Sequence, residues 1–113
     1  MEIVVKGLNV KATADLREYV EKRFRVVERQ VPLVAVLTMT LREDRNPAIA
    51  DSQHAEATLA LKGVTLHASS AAPEMHQAIH HCQKEIERQV VRLKEKRRKR
   101  REARGVRDRS IAA

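Results

Sequence analysis

Aromatic residues are nearly missing from this 113-residue chain: Tyr19 and Phe24 stand alone, and there is no tryptophan. Recognition of a nucleic acid by a row of exposed stacking rings is thereby excluded. Cys82 is the single cysteine, which rules out a disulfide framework and a multi-thiolate zinc site. Three glycines supply neither a Gly-rich loop for a phosphate nor a nucleophile elbow. No stretch approaches the roughly 18 consecutive apolar residues of a membrane span. The opening MEIVVKGLNV also lacks the basic-then-apolar layout of a secretion signal. A soluble, cytoplasmic protein without a membrane partner is expected. What is present, 42% apolar residues, suffices for one two-layer core but not for two.

Charge is the strongest positive feature: 23 Lys and Arg against 15 Asp and Glu give a net +8. Its distribution matters more than its size. Residues 1–93 carry 13 basic and 12 acidic groups, whereas residues 94–113 carry 10 and 3. A near-neutral body with a cationic end is expected to meet a polyanion, nucleic acid ahead of lipid, because the basic run has no apolar face to insert.

The pattern along the body alternates between two periods. Glu2 to Lys6 is a β-branched run, and Thr13 is a credible N-cap. Behind it Leu16, Tyr19, Val20, Phe24, Val27 and Val31 recur every three or four residues, predicting a helix that Pro32 ends by Val31. Three period-two runs follow, near 34–43, 54–61 and 64–69, with a loop around Asn46-Pro47 and a tight Lys62-Gly63 turn. Pro73 and Glu74 suit the first turn of a final helix, whose seam is Met75, Ile79, Cys82, Ile86, Gln89/Val90 and Leu93. The order β-α-β-β-β-α predicts an α+β fold: a four-stranded sheet with two helices packed on one face. Past Leu93 the seam stops, so residues 94–101 should project or fray beyond the sheet. Residues 1–96 read as one domain and 97–113 as a basic helical extension, with a disordered tail from Gly105 to Ala113.

Three constellations are candidates for function. In Lys94 to Arg104 basic residues, Lys94, Lys96, Arg97 and Arg98 among them, fall at nearly every angle of a helix. Such a surface binds phosphates independently of sequence and with strong salt dependence. Nearer the body, Lys84, Arg88 and Arg92 on the last helix and Lys22, Arg23 and Arg25 on the first form one surface if the helices lie side by side. Glu21, Glu28, Glu85 and Glu87 are within reach of ordinary i,i+3 and i,i+4 pairs with them, which would leave those cations neutralised. Finally, His76 and His80 have a metal-binding spacing beside His81-Cys82, but no intervening Glu and no third ligand at a recognisable distance. No catalytic residue, no metal site and no cofactor is expected, and no small-molecule substrate.

These residues also carry a family resemblance. M1-E-I-V-V-K-G-L-N-V, T13-A-D-L-R-E-Y-V-E-K-R-F24, E56-A-T-L-A-L-K-G-V-T-L-H-A-S69, E74-M-H-Q-A-I79 and R88-Q89 with its trailing basic residues occur in order. Together they resemble the bacterial ribosome hibernation-promoting factor and ribosome-associated inhibitor family, as a short form or an N-terminal domain. The resemblance implies a fold similar to a double-stranded-RNA-binding domain and a non-enzymatic role in stationary phase or stress. It further implies binding to the small ribosomal subunit at the decoding centre, over the A and P sites, blocking messenger and transfer RNA. The implied partners are the small subunit and its ribosomal RNA, with a monomer off the ribosome. The positions matching the family's RNA contacts are Arg23, Arg88, Arg92, Lys94 and Lys96. Glu85 stands where the family usually has Lys, with Lys84 adjacent. The alternative is a general binder of structured RNA or duplex nucleic acid acting through the basic tail.

Overall fold

The computed structural model describes the backbone of residues 1–112 and the side chains of residues 1–105. Its elements are β1 (Glu2–Gly7), α1 (Ala14–Arg23), α2 (Arg25–Glu28), β2 (Val36–Glu43), β3 (Gln53–Leu61), β4 (Val64–Ala72) and α3 (Met75–Ala112). The strands form one sheet in the order β1-β2-β3-β4. β1 runs parallel to β2, as the helical crossover between them requires, while β2, β3 and β4 are successive antiparallel neighbours.

One face of that sheet is dry. The period-two pattern puts Leu37, Met39 and Leu41 of β2 and Ala57 and Leu59 of β3 on it, all fully buried. Against them lie Val20 and Phe24 from the first helical segment, Val27 from α2, and Ile79, Cys82, Ile86 and Val90 from α3. Small side chains, Ala55, Ala57 and Ala68, line the strip of β3 and β4 that α3 crosses. They let the helix approach until Cys82 Sγ donates to the Ala55 carbonyl at 3.2 Å. Each of the large side chains contributes roughly 1.5–3 kcal/mol by leaving water.

The loops are tied locally. Thr13 caps α1, its hydroxyl accepting from the Leu16 amide at 3.2 Å. Asn9 acts as a surrogate strand: its side-chain amide donates to the Glu43 carbonyl at 2.6 Å and its carbonyl accepts from the Glu43 amide at 2.8 Å. Gly7 permits the close approach this needs, since a Cβ there would collide with the Val10 carbonyl oxygen. At the β3–β4 turn Gly63 has φ +80°, the left-handed region that glycine enters freely.

The boundaries differ from the sequence expectation in several places, β4 among them, whose alternating pattern covers 64–69 but which runs on to Ala72. The first helix is not continuous to Val31: it bends at Phe24 (φ −86°, ψ 4°) and ends at Glu28. The bend keeps a hydrogen bond at each side, Phe24 N–H to Val20 and Glu28 N–H to Phe24, both 2.9 Å, while turning both Phe24 and Val27 into the core. Pro32 therefore follows a helix already ended, and Val34, expected in the second strand, stands exposed before β2 begins at Val36. Glu74 is not in the first turn of α3 but just before it, where its carbonyl accepts from the Ala78 amide at 3.2 Å.

α3 outruns the sheet. Its 38 residues span about 57 Å, against about 30 Å for a nine-residue strand. Among the described side chains Val90 is its last buried residue, and residues 94–104 are all exposed, so this segment projects. The expected irregular tail, Gly105 to Ala113, falls mainly on positions whose side chains lie outside the described ones; the backbone is helical to Ala112, and Ala113 lies outside the described residues.

Candidate nucleic-acid interface

Two clefts separate α3 from α1, α2 and the turn after them. The first, about 660 Å³, collects Lys22, Arg23, Arg25 and Arg29 from one side and Lys84 from the other. Its one acidic lining residue is Glu87, whose carboxylate accepts from the buried Gln83 amide at 2.8 Å. The second, about 570 Å³, lies at the open end of the sandwich and gathers Lys94, Arg97, Arg98 and Arg101 of α3 opposite Arg29. Arg29 lines both clefts, making one cationic trough along the helix pair.

The structure thus brings together Lys22, Arg23, Arg25 and Lys84, and separately Lys94, Arg97 and Arg98. Arg88, Arg92 and Lys96 are exposed but line neither cleft. At 100° per residue Arg92 and Lys96 lie on the flank of α3 that carries Gln89, which donates to the His67 carbonyl of β4 at 2.8 Å, while Arg88 sits on the outward face between that flank and Lys84. All ten sequence-predicted cations are therefore on the helical layer, but they do not share a single cleft. Arg29 was missed, and Arg101 was included only within the Lys94 to Arg104 tract. Arg29 is four residues after Arg25, a spacing that could have pointed to it, but the bend at Phe24 decides where it faces.

The expected neutralising pairs mostly do not form. Among the described residues Arg88 pairs with Glu85 at 3.3 Å and Arg98 with Glu102 at 3.8 Å. Lys22, Arg23, Arg25, Lys84, Arg92, Lys94, Lys96 and Arg97 have no carboxylate within 4.0 Å among them. Arg23 is instead oriented by Tyr19: its Nε donates to the phenol oxygen at 3.1 Å, and its guanidinium carbon is 5.3 Å from the ring centroid. Excess positive charge is the state of this surface.

The histidines near it have other engagements. His76 packs edge-on against Tyr19, centroids 4.5 Å apart, and lies 3.9 Å from the Asp15 carboxylate. His81 Nδ1 is 3.2 Å from the Ser70 hydroxyl. His80 Nδ1 is buried without a partner, and burial, then Arg23, Lys84 and His81, hold its imidazole below the ordinary 6.5. Among the described residues no three metal-ligating side chains converge. Burial pushes the Cys82 thiol up to about 11.

Comparison with known proteins adds what geometry alone does not. Residues 3–98 match the model of the family described as sigma 54 modulation protein / S30EA ribosomal protein. The chain belongs to this family. The ribosome hibernation promoting factor of Salmonella typhimurium is 30% identical over 96 residues, covering 85% of this chain and 96% of that protein. The Escherichia coli K12 protein of the same name is 28% identical over the same shares. Two solved structures share the fold. The Thermus thermophilus Protein Y N-terminal domain superposes with TM-score 0.71 at 23% identity, covering 82% of this chain and 99% of that one. A ribosomal subunit interface protein from Coxiella burnetii gives 0.67 at 18% identity, covering 83% and 98%. The S30EA-type α+β fold and the resemblance read from the sequence both stand. So does the function class, a ribosome-associated hibernation factor of a non-enzymatic family. General duplex binding finds no support in these likenesses.

Proposed function

We propose that this family member binds the small ribosomal subunit through its helical layer, in the cytoplasm and as a monomer, and inhibits translation there by occupancy. The target within the subunit is ribosomal RNA at the decoding centre, over the A and P sites, where a bound protein excludes messenger and transfer RNA. The observation that carries this reading is the trough of cations joining Lys22, Arg23, Arg25 and Arg29 to Lys84 and, through Arg29, to Lys94, Arg97 and Arg98, of which only Arg98 has a carboxylate partner, Glu102, among the described residues. Arg88, Arg92 and Lys96 extend it over the outward face and second flank of α3. Such a surface has reach and charge but no ring stack, and it suits structured RNA held by phosphate geometry and shape.

Cosedimentation with purified small subunits over a salt series tests it. Binding should weaken steeply with salt, and the paired reversal Lys22→Glu/Lys84→Glu should reduce affinity in pelleting by at least about tenfold, each charge-assisted phosphate bond being worth on the order of 1 kcal/mol or more. Pelleting indifferent to salt and to that double variant would refute the reading. A chemical footprint on intact subunits then locates the site, and protection away from the decoding centre would refute that part.

A further inference from the structure

The second cleft has a floor unlike the first. Val31, Pro32, Leu61, Val90 and Leu93 meet there, from the turn after α2, the end of β3 and the last apolar turn of α3. Around this aliphatic floor stand five cations, Arg29, Lys94, Arg97, Arg98 and Arg101, with the Gln30 amide beside them and no carboxylate in the lining. Phosphate contact alone needs no such floor. At about 570 Å³ the cleft lies within the roughly 300–1,000 Å³ of ligand-holding sites, which pair an apolar wall with a few polar groups.

The geometry points to a nucleotide subsite: one unstacked nucleotide of single-stranded RNA, its base on the aliphatic floor and its phosphate among the rim cations. This deepens the reading of the helical layer as an RNA interface and rests on it. Bases splayed from a strand are gripped by aromatic faces or by arginine planes. A chain with 2% aromatics has only the second means, and four of the five rim cations are arginines. An acidic protein segment would also meet cations and an apolar floor. The site favours RNA because Arg29 makes its rim continuous with the cationic trough that the RNA reading already uses.

The test is a methyl NMR titration of the full chain with AMP, GMP, CMP and UMP, with inorganic phosphate and a glutamate-rich decapeptide bearing one leucine as separate arms. At least one mononucleotide at about 10 mM should shift the methyls of Val31, Leu61, Val90 and Leu93, and Leu93→Glu should weaken that binding by about tenfold or more. Leu93 is at the rim of the fold, and unmoved methyls of the buried Leu37 and Leu59 would show that the variant remains folded. No shift with any mononucleotide, equal shifts with phosphate alone, or tighter binding of the peptide would each overturn the subsite. None of these results bears on subunit pelleting, so failure here and failure of the ribosome reading are told apart.

Discussion

Two side chains of α3 owe their protonation to burial. For Cys82 the folded value, about 11, lies above the ordinary 9.0. The unfolded chain therefore loses this proton first, and stability present below pH 9.0 is lost as pH rises towards about 11. The urea midpoint should fall across that window, and Cys82→Ala should remove this part of the dependence. His80 has the opposite sense. Its folded value is depressed below 6.5, so the unfolded state binds the proton more readily and stability declines as pH falls below 6.5. His80→Gln should flatten that acid limb in the same denaturation series. At the cap of α1, Thr13→Ala removes the acceptor of the Leu16 amide and should cost about 1 kcal/mol by urea denaturation.

At the scale of elements, the bend at Phe24 organises the interface. The apolar stripe over Leu16, Val20, Phe24 and Val27 reads as one helix because three- and four-residue spacings survive a bend that keeps its flanking hydrogen bonds. Nothing local to the sequence marks the turn, because a straight helix would also bury both Phe24 and Val27 on one face. Phe24→Ala would leave a cavity at that joint. It should cost about 3–5 kcal/mol in thermal or urea unfolding. The three antiparallel strands, by contrast, were legible in number, face and register, since a one-residue slip would turn Leu37, Met39 and Leu41 to water, though β2 begins two residues later and β4 runs three residues further than their patterns show.

At the scale of the whole molecule, a folded body carries a cationic arm. The extents, 68 × 28 × 19 Å, and a radius of gyration of 17.9 Å against about 13 Å for a compact chain of this length reflect the projecting end of α3. A chain ending at Lys96 keeps every core residue. It should unfold within about 0.5 kcal/mol of the full protein. It should also bind small subunits more weakly, with a salt slope shallower by about 0.7–0.9 for every phosphate it no longer neutralises. Unfolding curves and salt-dependent pelleting of the two chains check this. The sequence by itself determined the succession of strands and helices, the buried faces and the gathering of charge at one end, because periodicity and composition act through neighbours along the chain. Only the tertiary structure decided which cations share a trough. Arg29 and Arg101 enter it, and Arg88, Arg92 and Lys96 stay outside it, because the bend in the first helix and the rotation of α3 on its alanine-lined strip are settled by packing between distant residues.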